Sequence, residues 1–357
     1  MSLLVRGVTR FTGLHDVPGS YGEAGRLVVS VKETEDGLEF VKVPAGAAGG
    51  YAERLPAGEY AKLADYFGQW AYGHGLMITD TIHLAVKGNN TNSVFAFNLA
   101  TLGSAFALPA FPVTVVGRNT QAGLYLNRYV YSSGDPLAGG AERYSFRAFD
   151  LHLNSWSSRA PLPRAANGFP VDLEWANDAV IVFDSRFQKI YAFGCRRSDS
   201  GDYLGTACYD CATDIWTIKA NAPRPIYSTH GLRVGDRIYL DYFQTPGSVN
   251  SGFGCYDIAS DSYHDLADYG PNAPVLFGPM FWFADRPDAI YLLHGKTGFT
   301  AGISLSVYSI SGNSWTRLGY ASDTPISARG VGAFTTPNRH IVYRRDTSSQ
   351  HYVYRLD

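Results

Sequence analysis

The sequence predicts an all-β protein: a ring of six four-stranded sheets, a six-bladed β-propeller, over residues 51–357, with a small β-hairpin arm and linker over residues 1–50. Three observations predict it. Aromatic residues, 24 Tyr and 20 Phe, fall in short alternating runs separated by Gly, Pro, Asn, Asp and Ser, the pattern of many strands joined by tight turns. One such motif recurs roughly every fifty residues, the length of a four-stranded blade with one variable loop. A stretch near the N-terminus matches the fourth strand of a later repeat and supplies the strand that the last repeat lacks.

The arm comes first. Asp16-Val17-Pro18 is a turn, and the alternating run Leu27 to Val31 is a strand. Asp36-Gly37 turns the chain, and Leu38 to Val41 returns as a second strand. The spacing predicts a hairpin. It is too small to be stable alone and is expected to dock on a partner or on its own copies. Pro44 to Gly50, rich in Ala and Gly, reads as a flexible tether.

The repeat reads Phe149-Asp150 then Asn154-Ser155-Trp156; Tyr209-Asp210 then Thr213-Asp214-Ile215-Trp216; Tyr256-Asp257 then Asp261-Ser262-Tyr263; Tyr308-Ser309 then Asn313-Ser314-Trp315. A weaker copy runs from Phe97-Asn98 to Phe106. After each copy comes a Pro-containing connection and then an apolar run suited to an innermost strand. A hydrophobic second strand follows, as in Ile238-Tyr239-Leu240 and Ile290-Tyr291-Leu292. From Gly330 onward the sequence gives three more strands. Glu59 to Tyr66 resembles Ser262 to Tyr269, so pairing it with those three completes a sixth sheet and leaves none open.

Composition narrows the function. Hydrophobic residues are 45% and charged residues 17% of the 357, which describes a folded chain with a weakly charged surface. Thirty Lys and Arg against 32 Asp and Glu leave a net charge of −2, so a nucleic-acid partner held by a basic field is disfavoured. There is no apolar run long enough for membrane insertion, and the N-terminus lacks the pattern of a signal peptide, so a soluble chain made in a cytosol is expected. Cys195, Cys208, Cys211 and Cys255 are too few and too clustered for a disulfide framework and are expected as free thiols.

Two resemblances add to this reading. The aromatic-Asp, small polar, Trp pattern, followed by Pro-Arg and Gly-Asp-x-Ile-Tyr, resembles kelch repeats, best between Tyr209 and Leu240. The Gly-Gly doublet usual in that family is replaced by Leu293-His294-Gly295 or Tyr242-Phe243. The block Phe11-x-x-Leu14-x-Asp16-x-Pro18-x-Ser20-Tyr21, continued by Ala24-Gly25 and Gly37-Leu38-Glu39-Phe40-Val41, resembles a module of bacteriophage tail-fibre and virion-surface proteins. That resemblance implies attachment to a phage structural protein of tail or head through residues 1–43, with Phe11, Leu14, Asp16, Pro18, Tyr21, Leu38 and Phe40 as contact residues. It also implies a virion-surface location and a homo-oligomer.

No catalytic constellation is legible. The nine histidines do not converge in sequence, and Cys208-x-x-Cys211 has no second pair at zinc spacing, so no cofactor and no metal are expected. His74 and His230 read as core histidines. The loops between second and third strands remain, where variation can be exchanged without disturbing sheets. Their candidate receptor-binding residues are Tyr131, Asp135, Arg197, Asp199, Asp202, Tyr203, Asn250, Phe253, Lys296 and Phe299. Aromatic rings with Asn, Asp and Arg suit a polyhydroxylated ligand. A host-surface glycan or protein is the expected partner. The alternatives are a glycan-degrading or modifying enzyme using a pair among Asp135, Glu142, Asp199 and Asp202, and a structural decoration protein without receptor binding.

Overall fold

The computed structural model describes residues 27–31, 38–42, 60–62, 75–77, 82–86, 92, 94–98, 103–104, 108–114, 121–126, 128–135, 137, 139–176, 179–226, 231–243, 251–269, 277–295, 303–322, 333–335, 340–344 and 351–355. The chain divides into two units, Met1–Arg54 and Leu55–Asp357. In the first, β1 (Leu27–Val31) and β2 (Leu38–Lys42) pair antiparallel with Val29 opposite Phe40.

The second unit is all-β and antiparallel. Strand β3 (Tyr60–Lys62) comes first. The next sheet is β4 (Gly75–Met77), β5 (Ile82–Val86), β6 (Val94–Asn98) and β7 (Gly103–Ser104), followed by β8 (Gln121–Tyr125), β9 (Tyr129–Ser133), β10 (Phe146–Asp150) and β11 (Ser155–Arg159). Then come β12 (Leu173–Glu174), β13 (Val180–Asp184), β14 (Lys189–Arg197), β15 (Gly205–Asp210) and β16 (Ile215–Ile218). The fourth sheet is β17 (Gly231–Val234), β18 (Arg237–Phe243), β19 (Ser251–Asp257) and β20 (Ser262–Asp265), and the fifth β21 (Phe277–Trp282), β22 (Ala289–Gly295), β23 (Ile303–Ser309) and β24 (Ser314–Ser322). Strands β25 (Ala333–Thr335), β26 (His340–Arg344) and β27 (His351–Arg355) make the last sheet together with β3, which lies beside β27 with Ala61 opposite Val353. First strands of successive sheets touch: β4 with β8, β8 with β13, β13 with β17, β17 with β21, β21 with β25, and β25 with β4.

One sheet departs from the four-strand expectation. Strand β12 adds to β14 beyond a bulge between Phe193 and Cys195, while β13 pairs with the first half of β14. Gly194 makes the bulge at φ +70, and a Cβ there would lie 2.4 Å from the Ile226 carbonyl oxygen. Only glycine accepts both conditions without strain.

The core sits between sheets. Along β14, Ile190 and Ala192 face a cluster shared with Tyr131, Phe146 and Trp216, whereas Tyr191 and Phe193 face one shared with Ile238, Leu240 and Tyr256. The period of two is intact, yet both sets are apolar because both faces are covered. Aromatic contacts cross the three boundaries between the second and fifth sheets: Phe146 meets Tyr209 edge-on at 5.0 Å, Phe193 meets Tyr256 at 5.5 Å, and Phe253 meets Tyr308 at 4.9 Å.

The repeated motif is a connector between sheets. Asp210 and Asp257 use Oδ1 to accept backbone N–H groups of the turn after the third strand, from Ala212 and Thr213 and from Ala259 and Ser260. The turn ends in a left-handed residue, Asn154, Asp214, Asp261 or Asn313, a conformation Asn and Asp tolerate. In the last three, Oδ1 accepts the hydroxyl of Tyr209, Tyr256 or Tyr308 at 2.6 to 2.7 Å. The same oxygen accepts the N–H of Ala160, Ala220 or Ala267 from the preceding sheet's exit segment. Among the described residues no helix is long and apolar enough to cross a membrane.

Candidate functional site

Antiparallel pairing places the end of the second strand, the start of the third and the end of the fourth on one side of each sheet; in the second sheet Phe146 is opposite both Ser133 and Arg159. Loops between second and third strands therefore share that side with the connections to the next sheet. The opposite side carries tight turns.

On the loop side, the single turn of 3-10 helix Gly140–Tyr144, the connection after β11, and β12 are tied backbone to backbone. Leu162 N–H donates to the Tyr144 carbonyl at 2.9 Å, Leu173 N–H to Pro163 at 2.9 Å, and Trp175 N–H to Arg143 at 2.8 Å. The buried Trp175 indole donates to the Ser145 carbonyl at 2.6 Å and forms a floor with Phe146 and Leu162. Strand β12 sets Glu174 opposite Arg196 on β14.

Three segments thus bring their side chains together around Glu174, which is 13% exposed. Its carboxylate accepts from Arg143 Nη1 at 3.2 Å, from the Tyr144 hydroxyl at 2.9 Å and from Arg196 Nη1 at 3.4 Å. The Arg164 guanidinium lies over the Tyr144 ring, 4.2 Å from its centroid. Burial first, and then the bond to Glu174, raise the Tyr144 hydroxyl pKa, so Tyr144 stays a protonated donor.

A second group adjoins it. Arg197 donates to Asp199 at 3.0 and 2.6 Å and to Asn221 Oδ1 at 2.7 Å. That guanidinium holds the Asp199 carboxyl below its ordinary range. Arg197 N–H bonds the Asp202 carbonyl at 2.9 Å, and Gly201 N–H returns to Arg197 at 2.8 Å, so loop 198–202 is a closed turn. Farther along, Arg224 pairs with Asp265 at 2.9 Å.

Of the residues expected to bind a receptor, Arg197 and Asp199 are brought together, with Asp202 closing their loop and Tyr203 packed half-buried against the core. Three expectations are corrected. Tyr131 and Phe253 are each 1% exposed and belong to core clusters, Tyr131 stacked on Phe146 at 5.4 Å and Phe253 set edge-on to Trp315 at 4.9 Å. Both are strand residues whose faces are covered by neighbouring sheets. Asp135 is corrected too: it is fully buried, and its Oδ1 accepts the Leu137 N–H at 2.9 Å, which is a turn-forming role.

Asn250, Lys296 and Phe299 lie outside the described residues, as do His74, His230 and the arm residues Phe11, Leu14, Asp16, Pro18 and Tyr21. Leu38 and Phe40 are on β2. The acid Glu142 receives Arg147 at 2.7 Å. Sequence reasoning missed Arg143, Tyr144, Arg164, Glu174 and Arg196. Their signal was weak, because Arg164 and Glu174 sit in a connection read only as a Pro-containing link.

The four cysteines are buried and unpaired with one another. Burial pushes the thiols of Cys195 and Cys211 up to about 12 and that of Cys255 up to about 11. Among the described residues no three His, Cys, Asp or Glu side chains are grouped to hold a metal ion. Comparison with known protein families and with curated proteins finds no match to this chain.

Proposed function

We propose that residues 55–357 form a closed, kelch-like six-bladed β-propeller and that the chain is a bacteriophage virion-surface fibre or spike protein. The contacts of β25 with β4 and of β4 with β8, with β3 completing the last sheet, support closure. The arm's likeness to phage tail-fibre modules supports attachment to a phage structural protein through residues 1–43.

The loop side then binds a receptor on the host cell, and a glycan fits it best. One observation carries this: arginine, tyrosine and carboxylate groups from three separate segments are fixed on that side by backbone hydrogen bonds. Fixed arginine donors around a carboxylate acceptor suit the hydroxyls of a sugar, and little ordering entropy remains to be lost on binding.

A glycan array and adsorption to host cells, both with the full chain, test this. Saturable binding competed by host surface polysaccharide is expected. A folded protein that adsorbs to no host cell and retains no glycan would overturn the reading. Loss of the protein from particles when residues 1–43 are deleted tests the attachment role.

A further inference from the structure

Three arginines surround the Glu174 group, and its acids do not balance them. Arg143 and Arg196 share the one carboxylate of Glu174. Arg164 has a tyrosine ring beneath it and, among the described residues, no ion-pair partner. Asp172, the other acid acting on Tyr144, spends one oxygen on the Ala165 N–H. Arg143 and Arg196 keep 35% and 46% of their side-chain surface exposed. The Nε atoms of Arg143 and Arg164 are buried without an acceptor.

A guanidinium stacked on a ring is fixed in plane and presents its edge, the geometry that suits two-point bonding to a carboxylate, sulfate or phosphate oxygen pair. We infer that the receptor bound on this side is an anionic saccharide. Its acidic group sits against Arg164 and Arg196, while the exposed Arg143 meets a neighbouring hydroxyl. The inference rests on the glycan-binding reading above and names its ligand class. It also gives Glu174 a purpose: a single carboxylate orients two of the three arginines and leaves the cluster cationic in a chain whose net charge is −2.

Calorimetric titration of the full chain with oligogalacturonate, with sulfated dextran and with neutral dextran of matched length tests this. Either acidic ligand should bind at least about tenfold more tightly than neutral dextran, and added salt should weaken it. The acidic ligand that binds identifies the group as carboxylate or sulfate. Arg196→Gln and Arg164→Gln should each lower acidic binding about tenfold and leave melting of Arg196→Gln unchanged. Neutral dextran binding as tightly as both acidic ligands overturns the inference and leaves the glycan reading standing. Acidic binding indifferent to Arg196→Gln in a folded protein also overturns it. No saccharide bound by the native chain overturns the glycan reading itself.

Discussion

The indole Nε1 of Trp216, on β16, donates to the carbonyl of Ala160 at the exit of β11, 2.8 Å away. Trp315 repeats this with Ala267 at 2.9 Å. The outer tryptophan thus fastens the third sheet and the fifth to the ones before them. Replacing Trp216 by Phe keeps an aromatic ring in the core cluster but leaves the Ala160 carbonyl without its donor. A loss of about 1–3 kcal/mol in urea unfolding is expected.

Asp214 accepts from both Tyr209 and the Ala160 N–H while holding a left-handed φ of 58°. Asp214→Ala removes both acceptors and strains the backbone, at a cost of about 2–4 kcal/mol. Asp214→Asn keeps an acceptor and tolerates the conformation, as Asn313 does at the equivalent position, so it should cost under about 1 kcal/mol. Equal melting of the two variants would contradict the connector role.

Asp150 is held by Arg128 through Nε at 2.8 Å, and this bond, with help from the turn N–H groups, lowers its carboxyl to about 2. A folded pKa below the unfolded one stabilises above the unfolded value and loses that contribution as pH falls from about 4 through about 2. Acid unfolding of wild type should show this loss between those values. In Arg128→Gln the loss should be smaller, because much of the downward shift disappears.

Burial raises all four thiol pKa values, so the thiolate fraction at pH 8 is small and access is closed. A disulfide reagent should titrate almost no thiol in the native protein and all four after denaturation. Fast native reaction at Cys211 would contradict its place in the core.

Gly194→Ala should be among the most damaging single-methyl changes. A Cβ would meet the Ile226 carbonyl oxygen at 2.4 Å in a positive-φ residue. Destabilisation of roughly 2 kcal/mol or more is expected, with loss of the β12 pairing visible by hydrogen exchange at Glu174.

Much of the strand pattern was legible because the repeat writes its turns in Asp and Asn and its outer strands in Trp or Tyr, and each of those choices has a local cause. The likeness of residues 59–66 to 262–269 likewise pointed to the pairing of β3 with β27. The candidate site was less legible. Tyr131 and Phe253 look like loop-proximal aromatics in sequence, but covered sheets bury alternate residues on both faces, so strand alternation does not mark which side is wet. The cluster at Glu174 is assembled by β12, a two-residue strand that exists because Gly194 bulges β14. No periodicity announces so short an element.

The pairing of β3 with β27 has a consequence for biosynthesis. Tyr60 must wait for Tyr354, its partner in register, while the 294 residues that separate them (354 − 60) are made. At about 5–20 residues per second the delay is on the order of tens of seconds. Until then β3 has no partner strand and stays open to a neighbouring nascent chain, and dilution or a chaperone during that interval decides how much protein reaches the native state.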